Sequence, residues 1–328
     1  MSWVFMKNPR FIARGFSLIE LMIAITLGAL VVAATIGIFS TNRQTYISVE
    51  NVARIQENAR SAFEIMSRDI REAGGNACDK DVLVANVMNS PGSNWWSNWN
   101  TPVIGYEGAF PVGGPAIVAG TDALQLMSGS ASTYTVASHN PTSAQISLNT
   151  SVHDLLADDI LMICDQNRAA IFQMSGPSAT NATVVHNSGV GVPGNLCKGL
   201  GLPVCAGPQG TDYEFLPNSQ ISRLSASRWY IANNGRASQR SLYRSALRSN
   251  AVGAPEEIAE GITNMQLSYL TEGGTEYSDA SLITAAQWPT VKAIRVVFTL
   301  QGSEVIGTDG QRISRTVSHT ATLRNRSK

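Results

Sequence analysis

The chain has 328 residues, 24 basic against 24 acidic, and only 15% of its residues are charged. That balance offers no bulk field for nucleic acid, and a sequence rich in Gly, Ser, Thr and Asn suits an exported, loop-rich β domain better than a cytosolic helical enzyme. The length allows one large domain or two small ones.

The first element is "ARGFSLIELMIAITLGALVVAATIGIFSTNR", Ala13–Arg43. Lys7, Arg10 and Arg14 precede its apolar run, with no acid among them. The uncharged stretch Leu21–Asn42 would span roughly 33 Å as a helix, against a hydrocarbon core of about 30 Å. The basic flank predicts a cytoplasmic N-terminus and an exported remainder. "ATIGIFSTNRQ" offers no A-x-A signal-peptidase site. The peptidase-like junction lies before the run, at Gly15–Phe16. A cut there would keep the apolar segment and remove three bases but no acid, taking the formal balance from zero to −3. Glu20 is the anomaly, because a lone carboxylate in hydrocarbon is costly unless paired. Ser17 and Glu20 fit an S-x-x-E capping box, which explains a helix start but neither the glycine nor the basic leader.

The helix is expected to continue beyond the membrane. Val52, Ile55, Ala59, Ala62, Met66, Ile70 and Ala73 recur at spacings of three and four, one apolar stripe on a polar helix. Arg54, Glu57, Arg60, Glu64, Arg68, Asp69 and Arg71 are placed largely off that stripe. Gly74-Gly75 is the expected stop. A helix from Phe16 to Ala73 would hold about 58 residues over roughly 87 Å, with Gly28 and Gly37 as its weakest interior points.

Short strands and turns follow. Expected strands are Val82–Met88, Ala123–Met127, Tyr134–Ala137, Ala144–Leu148, Ile160–Cys164, Ala170–Met174 and Thr183–His186. Later ones are Ser222–Ala232, Ser241–Arg244, Thr263–Leu270, Ala293–Leu300 and Thr316–Leu323. Many alternate apolar and polar residues, as half-buried antiparallel strands do; Val317, His319, Ala321 and Leu323 share one face. Asn234-Gly235, Gly273-Gly274 and Asp309-Gly310 are hairpin-type signals. Gly189–Gly210 reads as a long surface loop. The fold class is therefore α+β: a long N-terminal helix, transmembrane and then amphipathic, packed on an antiparallel sheet head with an inserted strand-rich lobe.

Four cysteines in an exported domain predict two disulfides, with three pairings open. The short Gly/Pro-containing loop favours Cys197–Cys205, which leaves Cys78–Cys164. Zinc is disfavoured, since there is no C-x-x-C pair and no closely spaced histidine. "NSPGSNWWSNWNTP" gathers Trp95, Trp96 and Trp99, a candidate interaction loop if exposed and a sheet cover if folded back. "SQRSLYRSALRS" clusters Arg240, Arg244 and Arg248 and reads as a solvated strand face. Gly189, Gly191 and Gly194 fit G-x-G-x-x-G, but a proline and then Cys197 follow where a dinucleotide fold needs a helix. His139, His153, His186 and His319 are scattered and read as surface or core residues. No P-loop, H-E-x-x-H, G-x-S-x-G or EF-hand motif occurs, so no catalytic residue, metal ligand or cofactor is expected.

"GFSLIE", Gly15–Glu20, resembles the prepilin cleavage motif of type IV pilins and type II secretion pseudopilins. The resemblance implies cleavage after Gly15 by a prepilin peptidase, N-methylation of Phe16, and a Glu20 that pairs with the amine of a neighbouring subunit. "RIQENARSAFEIMSRDIREAGGNAC" is similar to the PilW group of minor pilins, as are "DDILMICDQNRAAIFQMS", "EEIAEGITNMQLSYL", "WPTVKAIRVVFTLQ" and "SHTATLRNR". Residues Val82–Asp154 carry no such resemblance. The implied organisation is a leader at 1–15, a helix at 16–74 spanning the membrane at about 21–42, and a periplasmic or extracellular head at 75–328. The implied role is a non-catalytic minor pilin in a tip complex. Its partners would be other minor pilins, the major pilin, a tip adhesin and the inner membrane, with no nucleic acid. A GspJ-like minor pseudopilin of type II secretion is the rival, and a membrane-anchored periplasmic enzyme the distant third.

Overall fold

A computed structural model describes residues 15–78, 82–111, 114–177, 181–207, 209–236, 240–305 and 310–326. Lys7, Arg10, Arg14 and Asp309 lie outside them. The single long helix, α1, runs Leu18–Glu72 and is continuous through Gly28 and Gly37. Two compact units divide within it, residues 1–51 and 52–328.

In the second unit the predicted stripe is the buried one. Ile55, Ala59, Ala62, Met66, Ile70 and Ala73 are each at most 3% exposed and share a core with both sheets. The helix stops as expected. Gly74 takes φ +73°, and the last carbonyls are satisfied by the segment near the chain's far end: Arg324 N–H donates to Arg71 O at 3.0 Å and Asn325 Nδ2 to Glu72 O at 3.3 Å.

The strands in chain order are β1 Leu83–Asn86, β2 Val103–Glu107, β3 Asp122–Asn140, β4 Gln145–Leu148, β5 Ile160–Cys164, β6 Arg168–Gln173 and β7 Thr183–Val185. They continue as β8 Gln220–Asn233, β9 Arg240–Arg248, β10 Ala251–Val252, β11 Glu256–Glu260, β12 Ile262–Thr271, β13 Val291–Val305 and β14 Arg312–Thr322. Eleven form one sheet ordered β1-β6-β5-β8-β3-β4-β7, with β2 on β3, β9 on β8, and β10 and β11 on β9; β12-β13-β14 form a second. Pairing is antiparallel except for β1 with β6.

Alternation along β8 divides the interior. Trp229 and Ile231 face the core that holds the helix stripe, whereas Leu224 and Ala226 face a second cluster with Met88, Trp96 and Met162. A third cluster fills the inserted lobe around Val136, Ile146, Phe172 and Phe215.

Three expectations need correction. The two strands predicted at Ala123–Met127 and Tyr134–Ala137 are one, β3; its Ser/Gly run is absorbed as a register shift between Gly129 and Thr133, where Gly129 N–H bonds Gly75 O. The stretch Gly189–Gly210 is not merely surface, because Asn195, Cys197 and Leu200 are buried in or beside the lobe core. Gly273-Gly274 turns the chain after β12 but makes no tight hairpin, since β13 starts only at Val291. β2 was not foreseen: it is short and follows Pro102, and it carries Gly105, where a Cβ would lie 1.9 Å from the Tyr269 hydroxyl.

Candidate functional site

The first turn of α1 is capped by Ser17. Glu20 N–H donates to Ser17 Oγ and Leu21 N–H to Ser17 O, both at 3.2 Å. Phe16 is 83% exposed, and the apolar side chains from Leu18 to Phe39 are all bare. This helix alone among the described residues is long and apolar enough to cross a membrane. Its hydroxyls are already satisfied, with Thr26 Oγ1 donating to Met22 O at 2.8 Å and Thr35 Oγ1 to Val31 O at 2.7 Å, so they burden lipid burial little. Glu20 is the one acid in this run. Its carboxylate pairs with no cation among the described residues, so the site combines an exposed apolar helix, a capped start and one acidic side chain.

Within the head, α1 is fixed by a polar hub that the sequence pattern misplaced. Asp69 lies on the edge of the stripe, not off it. Its Oδ2 accepts from Ser227 Oγ at 2.9 Å and Trp229 Nε1 at 3.0 Å, and lies 3.1 Å from Arg244 Nε. Burial raises the Asp69 pKa, and Arg244 offsets part of that rise. The spacing of Asp69 from Met66 and Ala73, three and four residues, was the signal available in the sequence.

The arginine cluster is an ion-paired strand face. Arg244 holds Asp69, Arg248 meets Glu256 at 2.7 Å, and Arg240 Nη1 donates to Thr263 O. The tryptophan loop folds back. Trp96 is 5% exposed and packs with Met127 and Met162, with Trp95 and Trp99 half-buried against the same cluster. Arg228 lies over the Trp95 ring at 4.5 Å, so these rings cover the sheet and are not a free binding patch.

Both disulfides form, Cys78–Cys164 and Cys197–Cys205. The first ties the segment after α1 to β5. The Gly189–Gly194 loop makes turns: Gly191 and Gly194 have φ +87° and +78°, and Gly194 N–H donates to buried Gln173 Oε1 at 2.6 Å. No helix follows it, so it cradles no dinucleotide.

Two histidines described as scattered meet inside the lobe. His139 Nε2 and His186 Nε2 are 3.1 Å apart, and Phe215 N–H donates to His139 Nδ1 at 3.1 Å. Neutral His139 must therefore carry its proton on Nε2 and give it to His186 Nε2. Burial holds the pKa values down, to about 4 for His139 and about 3 for His186. His153 bonds Asn181 O, and His319 stacks on Phe63 at 4.2 Å, where β14 meets α1. Among the described residues, no three His, Cys, Asp or Glu side chains are grouped to hold a metal ion.

The structure thus combines a capped apolar helix of membrane length with a mostly antiparallel head whose core takes in the later turns of the same helix. Two family models match: the prokaryotic N-terminal methylation motif over residues 10–36, and type IV pilus-assembly protein W over residues 228–324. Together they support a PilW-like type IV minor pilin. The second match spans the end of β8 through β14, the part of the head that encloses the helix stripe. No curated protein and no solved structure matches the chain.

Proposed function

We propose that this chain joins or primes a type IV pilus within a tip complex of minor pilins, working as a template and not as a catalyst. The observation that carries the reading is Glu20, a single acid in a bare apolar run, the fifth residue after the Gly15–Phe16 junction. In this reading residues 1–15 are a leader cut by the prepilin peptidase, and Phe16 becomes the methylated N-terminus. Residues 16–74 anchor and buttress, crossing the inner membrane at about 21–42, and 75–328 form the head, periplasmic first and then at the pilus tip on the cell surface. The Glu20 carboxylate is stabilised in lipid by the terminal amine of an adjoining subunit, the major pilin or another minor one, which fixes axial register. A tip adhesin is a further partner.

The match to protein W supports the pilus over a GspJ-like role in type II secretion. Deletion separates the two: loss of surface fibres and twitching fits the first, loss of secreted exoenzymes the second. Mass spectrometry of the mature chain should find methylated Phe16; an intact leader, or a cut beyond Asn42, would overturn the assignment. Glu20→Gln should be processed normally yet enter fibres poorly. Incorporation at the wild-type level would remove the register argument.

A further inference from the structure

β14 is the outer strand of the second sheet, paired with β13 alone. The phase of that pairing identifies the backbone groups left over. Leu323 N–H donates to Lys292 O, which lies directly opposite in the β13–β14 register. Gln301, opposite Ser314, turns its N–H the other way, to Gly261 O. Odd-numbered residues of β14 therefore bond β13, and the N–H and C=O groups of Ser314, Thr316, Ser318 and Thr320 point to the open side. None of them has a backbone partner among the described residues. Edges are commonly blunted by proline, lysine or a bulge. From Ser314 to Thr320, β14 has none of these.

A groove of about 530 Å³ lies between β14 and α1. Val317 and His319, on the inward face of β14, form one wall. Ala59 and Phe63 of α1 form the other, with His319 stacked on Phe63 at 4.2 Å. A strand added to β14 would direct every second side chain toward α1, so the apolar walls and the free backbone groups suit one ligand conformation. Charge narrows the ligand further. Arg60 and Arg71 line the groove against Glu64 alone, and Arg60 already holds Glu64 at 2.9 Å. Arg71 has no ion-pair partner among the described residues, nor has Arg315, which shares the inward face with Val317. β14 itself carries Arg312 and Arg315 and no acid.

We infer that this edge accepts an extended, acid-bearing segment of a partner protein as an added strand. Its alternate apolar side chains enter the groove and its carboxylates meet Arg71 and Arg315, so main-chain bonds hold it and charge selects it. A second copy offering its own β14 would add arginines to arginines, and like charges across a strand pair are destabilising. A helix laid in the groove would leave the free edge groups unpaired. The inference goes beyond the pilin reading and does not depend on it.

The test uses the full chain in detergent and the peptide ETVTVTE, labelled at its N-terminus and amidated at its C-terminus. Extended, it presents glutamate, valine, valine and glutamate on one face. Fluorescence anisotropy at low salt should show saturable binding, with KTVTVTK at least about tenfold weaker. Methylating two successive backbone nitrogens of ETVTVTE should abolish binding, because one of them must face β14. S318P should abolish it from the protein side. That change spares the β13 ladder, since the Ser318 N–H faces outward. Arg71→Glu, at an exposed position, should shift the preference to the lysine peptide. In the complex, amide exchange at Thr316, Ser318 and Thr320 should slow. If S318P does not fold, the methylated peptide and Arg71→Glu decide. The proposal is overturned by no saturable binding up to about 1 mM, by equal binding of the lysine peptide, or by undiminished binding of the methylated peptide or to folded S318P. Self-association of the chain that S318P abolishes would overturn it too. Each failure leaves the Phe16 and Glu20 tests unaffected.

Discussion

Asp69→Ala should be the most damaging single change on the buried face of α1. It strips three partners at once. Trp229 Nε1, on a side chain with no exposure, loses its acceptor, and an unsatisfied buried donor costs about 1–3 kcal/mol. Ser227 can rotate its hydroxyl and loses about 0.5–1 kcal/mol. Arg244, 23% exposed, retains only Glu256 at 4.0 Å, and a partly buried cation left this way costs about 1–2 kcal/mol. The expected loss is about 3–5 kcal/mol, read as a fall in the urea midpoint of the full chain in detergent by tryptophan fluorescence. Asp69→Asn, which keeps an acceptor for Trp229, should lose less than half as much. Burial outweighs Arg244 in setting the Asp69 pKa, so the pair is worth little over an apolar one even though breaking it is costly. D69A/R244M should therefore lose clearly less than the sum of the single changes. A cost for D69A below about 1 kcal/mol, or strict additivity in the double variant, would refute the hub.

The histidine pair should make the inserted lobe acid-sensitive. Both folded pKa values, about 4 and about 3, lie below the unfolded value of about 6.5, so the unfolded chain takes up protons first. Stability is then full above pH 6.5 and falls toward pH 4, by up to about 1.4 kcal/mol per pH unit for each ring; His186→Phe should flatten this limb in urea titrations at pH 7 and pH 5. Asp122 acts in the opposite sense. Its folded pKa of about 6 exceeds the unfolded 3.8, so protonation between pH 6 and pH 4 favours the fold, and Asp122→Asn should raise the midpoint at pH 7.5. Opening Cys78–Cys164, with a sequence separation of 86, should cost about 4–5 kcal/mol and opening Cys197–Cys205, with 8, about 2–3. Cys→Ser variants of each pair, compared by thermal unfolding, check the order.

The long apolar run, the Gly15–Glu20 motif, the stripe from Ile55 to Ala73 and the stop at Gly74 were all legible in the sequence. Each depends on residues within a few positions of one another, where helical periodicity and glycine's freedom at positive φ act directly. The closing strand face that runs from Val317 to Leu323 was legible for the same reason. What only the tertiary structure decided is which distant groups meet: His139 with His186 across 47 positions, Asp69 with Trp229 across 160, and Glu107 opposite Asp122. Sheet register and burial set those encounters, and neither leaves a local trace in the chain, because strand pairing is chosen by the whole core and not by the residues it happens to bring together.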